Sequence, residues 1–215
     1  MTDVFGAGAT EASAATGVTP GRPPTNAERT EALESLLVER GYVTTAEIDR
    51  LVEHFLDDLG PMVGSRIVAQ AWLDPAYKQR LLTDADAVLA ELDVGSTQTE
   101  HLVVVENTPE VHNVVVCTLC SCYPWSVLGL PPAWYKDPAY RSRIVREPRA
   151  VLAEMGTEVD EGTEIRVWDS SAEVRYLVLP MPPDDVGELH DRTIDELAQL
   201  IGRDAMIGVA PAGTR

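Results

Sequence analysis

The sequence predicts an α+β protein, a helical N-terminal arm followed by a mixed region of strands and helices. Two observations carry that prediction. Between about 25 and 94, apolar residues recur at three- and four-residue steps, the period of an amphipathic helix. Beyond Gly95 they gather instead into short β-branched runs, which favour strands. Composition sets the outer bounds. The chain has 215 residues, 45% of them hydrophobic and 24% charged, enough for one core with an appendage. Its 35 acidic against 17 basic residues give a formal charge of -18. That excess repels phosphate backbones and anionic lipids, so nucleic acid and membrane are excluded as partners. No apolar run is long enough to cross a bilayer, and the first residues lack the basic flank and apolar stretch of a secretory signal. A cytoplasmic location is expected.

Residues 1–27 are rich in Ala, Gly, Thr and Pro and hold few large apolar side chains, so a flexible tail is expected there. Thr25 and Glu28 have the spacing of a capping box. Leu33, Leu36 and Leu37 follow as a stripe, and Gly41 is a helix stop. Thr44 and Glu47 repeat the capping signal before Ile48, Leu51, Val52, Phe55 and Leu59. Further helices fit 62–73, 75–82 and 84–92. His101 to Glu106 and His112 to Cys117 read as strands, with a turn at Pro109. The stretch after the cysteines is too rich in Pro and Gly for regular structure. A helix fits 138–155, kinked or divided at Pro148 and closed by Gly156. Glu164 to Asp169 and Glu173 to Leu179 read as a hairpin, and Thr193 with Glu196 caps a last helix. The expected division is a tail at 1–27, an arm at 28–94 and a catalytic domain at 95–215.

All three cysteines, Cys117, Cys120 and Cys122, lie within six residues. An odd number packed so tightly is no disulfide framework. Three thiolates are soft donors that a tight turn can bring to one point. His112 is the only nearby fourth side-chain ligand, and on an extended run it points away. His54, His101 and His190 show no metal spacing. The amides of Ser121 and Cys122 offer two further nitrogens, provided the ion polarises them enough to displace their protons. That set fills five octahedral positions and leaves one open for water or substrate, which suits trivalent cobalt or iron and not zinc. Residue chemistry alone leaves several readings open: a structural zinc knuckle, a redox or persulfide thiol cluster, an open mononuclear site, or fortuitous buried cysteines. An iron–sulfur cluster is disfavoured for want of a fourth cysteine.

The wider segment narrows the choice. Asn113 to Cys122 (NVVVCTLCSC), then Trp125, Val127 to Pro132 (VLGLPP) and Trp134 to Lys136, closely resembles the alpha subunit of nitrile hydratase. The resemblance runs from about Glu47 to Pro211 and includes RSRIVREPRAVLAEMG, VWDSSAEVRYLVLP and RDAMIGVA. It implies a layered α-β-β-α catalytic domain whose arm wraps a beta subunit. It implies that Cys117, Cys120, Ser121 and Cys122 hold a non-corrin Co(III), with Cys120 oxidised to sulfinate and Cys122 to sulfenate. Thr118 is the residue cobalt members usually carry, so Fe(III) is less favoured. The oxygenated sulfurs need cationic donors, which the family takes from the beta subunit. The reaction implied is hydration of a nitrile to its amide, with Cys122, Ser121 and Gln98 as catalytic positions. The attacking oxygen is left open between a hydroxide, free water and the Cys122 sulfenate.

By the same resemblance Trp125 lines the substrate pocket, while Asp169 and Arg175 support the claw or the subunit interface. Arg141, Arg143, Arg146 and Arg149 stand out in an acidic chain and read as interface or network residues. The implied partners are an obligate beta subunit, a metal-loading activator protein and a small nitrile, in a higher heterotetramer. Thiocyanate hydrolase is the nearest rival. Its metal subunit shares the claw but tends to have arginine where this chain has Trp125, and an aromatic suits an uncharged nitrile better than an anion. A non-catalytic zinc or redox cysteine module is the rival of a different class.

Overall fold

The computed structural model describes residues 22–53, 60–92, 94, 101–184 and 189–213, in two compact units. The first runs to Leu51. Its helix α1 (Asn26–Glu39) starts from the expected capping box: the Thr25 hydroxyl accepts from the Glu28 amide at 3.2 Å, and Glu28 accepts from the Thr25 amide at 2.6 Å. Gly41, at φ 69°, stops it. Thr44 and Glu47 make the same reciprocal bonds at the head of α2 (Thr45–Glu53). Neither helix has a buried residue, and Leu33, Leu36, Leu37 and Leu51 are all exposed. The helical period is there, but it serves no core among the described residues.

The second unit begins at Val52. In it α3 (Pro61–Leu73), α4 (Pro75–Thr83) and α5 (Ala85–Glu91) supply core residues. Ile67, Val68 and Ala71 of α3, Leu81 of α4 and Val88 of α5 are almost wholly excluded from water. Asp74 and Asp84 cap α4 and α5 by accepting from backbone amides. In the remainder lie β1 (His101–Glu106), β2 (Val111–Val116), α6 (Trp125–Leu128), α7 (Pro138–Arg143), α8 (Pro148–Glu154), β3 (Glu164–Asp169), β4 (Val174–Leu179), α9 (Ile194–Ala198) and α10 (Arg203–Ile207). The helix expected at 138–155 is indeed divided at Pro148. The Pro-rich stretch read as irregular contains α6 and a 3-10 turn at Ala133–Lys136.

The strands pair otherwise than expected. There is no β3–β4 hairpin. Instead β1 pairs with β4 and β2 with β3, both parallel, with His101 opposite Val174 and Val111 opposite Glu164. Each consecutive pair, β1–β2 and β3–β4, crosses from one two-stranded sheet to the other. The turn signal at Pro109 is genuine, but a turn residue does not say whether the next strand returns to the same sheet. The near-continuous apolar runs of β2 and β4 agree with strands covered on both faces. Helices α4 and α5 lie on β1, β2 lies against β4, and α8 covers β3, so the order of layers is helix, sheet, sheet, helix. Buried Asn113 joins the sheets: its side chain donates to the Glu106 carbonyl at 2.7 Å and accepts from the Trp168 indole at 2.8 Å.

Candidate metal centre

Register places the cysteines. Val116, the last residue of β2, is opposite Asp169, the last of β3, and the Ser170 amide donates to the Val116 carbonyl at 2.7 Å. The cysteine loop therefore leaves the C-terminal end of β2, beside that of β3. Cys117 is buried, Cys122 half-buried and Cys120 exposed. Their sulfurs all lie within 4.8 Å of one another, with Cys117 and Cys122 at 3.4 and 3.2 Å from Cys120. Among the described residues this is the one group of three or more His, Cys, Asp or Glu side chains so gathered.

The backbone turns inward as well. The Cys120 amide donates to the Cys117 sulfur at 3.3 Å, and the Ser121 and Cys122 amides lie near the Cys120 sulfur. Bonds from the Cys122 and Cys117 thiols, followed by those two amides, pull the Cys120 thiol down to about 7. Burial pushes Cys122 up to about 12, its two neighbouring thiols add to this, and the Arg175 charge opposes it. Three soft sulfurs with two neighbouring amides fit a single ion held by thiolate and amide donors.

Three side chains hold the loop from outside, and a fourth holds the strand that leads into it. The Asp169 carboxylate accepts from the Thr118 amide at 2.9 Å and from its hydroxyl at 2.6 Å. The Tyr135 hydroxyl donates to the Cys122 carbonyl at 2.8 Å, and Arg141 Nη1 donates to the Cys120 carbonyl at 2.9 Å. The Tyr140 hydroxyl holds the Val115 carbonyl of β2 at 2.8 Å. Trp134, Tyr135 and Tyr140 pack edge-on or tilted behind the loop, and Tyr123 meets Tyr135 with ring centres 5.0 Å apart.

The structure thus brings together Cys117, Cys120, Ser121 and Cys122, with Asp169 at Thr118 and Arg175 near Cys122. Trp125 opens α6 three residues past the loop and is 39% exposed. Gln98 and His54 lie outside the described residues. His112 is turned away from the sulfurs, as expected: its Nε2 bonds the Gly208 carbonyl at 2.7 Å. The four arginines all bond within the chain. Arg143 pairs with Glu147 and Glu154, Arg146 bonds the Ser142 carbonyl, Arg149 bonds the carbonyls of Asp160 and Thr163, and Arg141 holds the loop. Tyr135 and Tyr140 do not stand out in the sequence as loop supports. Sequence marks Tyr135 only as part of the Trp134 to Lys136 motif and does not mark Tyr140.

A C-x-x-C-x-C loop with inward amides at the end of a parallel strand pair can now be set beside known proteins. The family model described as the nitrile hydratase alpha chain matches residues 25–210. The chain belongs to that family. It is 54% identical, over 86% of its length and 87% of the relative's, to the low-molecular weight cobalt-containing nitrile hydratase subunit alpha of Rhodococcus rhodochrous. With the thiocyanate hydrolase subunit gamma of Thiobacillus thioparus it shares 42% identity over 83% of this chain and 76% of the other. Its fold is similar to a double mutant of the Fe-type nitrile hydratase of Comamonas testosteroni Ni1. That match has a TM-score of 0.79 and 40% identity, covering 88% of this chain and 92% of that one. Among the described residues no helix is long and apolar enough to cross a membrane.

Proposed function

We propose that this chain is the metal-bearing alpha subunit of a nitrile hydratase that converts nitriles to amides. The observation that carries the reading is the meeting of three sulfurs with the Ser121 and Cys122 amides, in a chain of this family. Cys117, Cys120 and Cys122 would hold the ion through sulfur, and Ser121 and Cys122 through their backbone nitrogens. Cobalt is favoured over iron because the 54% identical relative is named for cobalt and Thr118 agrees with it, whereas the Fe-type structure is more distant. When bound, a trivalent ion supplies a Lewis-acid position at which a small polar ligand is polarised.

The protein's own groups set the rest. Ser121 puts a hydroxyl beside the sulfurs, where it can hydrogen-bond a bound ligand. Trp125 presents a flat apolar face suited to an uncharged nitrile. Oxidation of Cys120 to sulfinate and Cys122 to sulfenate leaves anionic oxygens that Arg175 and the beta subunit's cations would bind. Gln98 is assigned a water-positioning role. Leu119, 89% exposed at the loop tip, and the exposed leucines of α1 suit burial against an obligate beta subunit, with α1 and α2 as the arm that meets it. An activator protein for metal loading, a heterotetrameric assembly and a cytoplasmic location belong to the same reading.

The test is to purify the chain with its beta subunit. Its cobalt, iron and zinc are measured, the loop peptide is weighed and nitrile hydration is assayed. Cobalt near equimolar with the chain, added oxygen at Cys120 and Cys122, and amide formation are expected. Zinc with unmodified thiols and no amide would overturn the reading. Thiocyanate hydrolysis without nitrile hydration would favour the second reading, which the 42% identical relative keeps open.

A further inference from the structure

The Cys120 carbonyl held by Arg141 belongs to the same peptide unit as the Ser121 nitrogen. Peptide resonance joins those two atoms, so charge placed on the nitrogen is shared with the oxygen. A nitrogen that binds metal as an anion therefore makes its own carbonyl oxygen more negative. Arg141 Nη1 lies 2.9 Å from that oxygen, and a hydrogen bond from a fixed guanidinium strengthens as its acceptor gains charge. The Tyr135 hydroxyl, by contrast, holds the Cys122 carbonyl, which belongs to the peptide after the loop.

Arg141 is well placed for such a task. It lies in the last turn of α7, whose first turn is capped by Asp137 and fixed by Pro138. The preceding residue, Tyr140, is buried and bonds the Val115 carbonyl of the strand that leads into the loop. The helix is thus anchored to β2 on one side while Arg141 reaches the loop. The Arg141 Nε is buried and has no protein hydrogen-bond partner, and among the described residues Arg141 forms no ion pair, unlike Arg143 with Glu147 and Glu154. Its charge is left to the loop.

We propose that Arg141 is a positioning residue for the metal site: it orients the Cys120–Ser121 peptide and balances the negative charge that peptide carries when its nitrogen is a ligand. This rests on the nitrile hydratase reading and extends it to a residue outside the donor set. It concerns retention of the ion and the electronic character of its ligands, and it makes no contact with substrate.

The experiment compares Arg141→Met, which keeps the aliphatic stem but removes charge and donors, with Arg141→Lys, which keeps a cation. Each is purified with the beta subunit. Cobalt per chain is measured after a chelator challenge, together with the visible sulfur-to-metal absorption and the melting temperature of metal-free protein. Arg141→Met is expected to retain roughly tenfold less cobalt, the low end of what loss of a ligand-orienting partner costs, and to shift the absorption of what remains. Arg141→Lys should recover most of both. Three results would overturn the inference: wild-type cobalt and absorption in Arg141→Met, equal loss in both variants, or a metal-free Arg141→Met that no longer folds. If the wild-type complex itself holds neither cobalt nor iron, it is the hydratase reading that fails.

Discussion

Gly208 is where the fold leaves least freedom, and replacing it with alanine is the sharpest test of how the strand behind the metal site is held. It sits at φ 82° at the end of α10, in the left-handed region. A side chain there costs about 1–2 kcal/mol from conformation alone. Contact costs more. A Cβ at Gly208 would lie 1.9 Å from the Asn113 carbonyl oxygen and 3.0 Å from the Val114 Cα, both backbone atoms of β2. Neither can rotate away, so the α10 terminus and β2 must separate, an overpacking cost near the upper end of about 1–3 kcal/mol. Separation also loosens the 2.7 Å bond from His112 to the Gly208 carbonyl, for about 1 kcal/mol more. The total is about 4–6 kcal/mol, and a chain of this size loses about 2–4 °C per kcal/mol. Gly208→Ala should therefore melt at least about 8 °C lower than the parent, and it should also retain less metal, because β2 leads directly to Cys117. Gly156→Ala is the control. Gly156 has φ 90° but nothing within 4 Å of its Cβ, so only the conformational cost applies and the loss should be about 2–8 °C. Equal melting of the two variants would refute the contact argument, and a Gly208→Ala protein within about 2 °C of the parent would refute both costs.

Three other outcomes are expected. Thr118→Val removes the 2.6 Å bond to Asp169 while keeping the shape, and Asp169→Ala removes both bonds to Thr118. In a double-mutant cycle on metal-free protein the two should couple by about 1 kcal/mol, and strict additivity would dissolve the clamp. Serine at any one of Cys117, Cys120 or Cys122 should abolish tight metal retention; elemental analysis showing full occupancy in one such variant would remove that residue from the donor set. Burial lowers the His112 pKa below its usual 6.5, so its neutral form is the one the fold favours. The unfolded chain binds that proton more readily, so this contribution is complete above pH 6.5 and declines as pH falls below it. Melting temperature against pH should accordingly fall less steeply below 6.5 in His112→Gln than in the parent, and parallel curves would contradict the assignment.

The residues alone determined a good deal about this protein. Helix ends were legible because capping is local: Thr25 with Glu28, Thr44 with Glu47 and Thr193 with Glu196 each satisfy amides within one turn. Pro148 divided its helix for an equally local reason. The cysteine spacing brought three sulfurs and two amides within reach of one ion, since all the donors lie on six consecutive residues. Partnerships between distant segments were not legible. Short apolar runs such as Val114–Val116 and Leu177–Leu179 fit a hairpin and a parallel pair equally well, because strands buried on both faces lose the alternation that would orient them. Only the tertiary structure put β2 beside β3, and with that it set Asp169 against Thr118, fifty-one residues away. The same holds for α3 to α5, whose helical period reads alike in an exposed arm and in a core. It holds again for Arg141, which sequence shows only as one arginine among four. Charge and periodicity belong to a residue and its near neighbours; which carbonyl a guanidinium meets depends on how the chain packs.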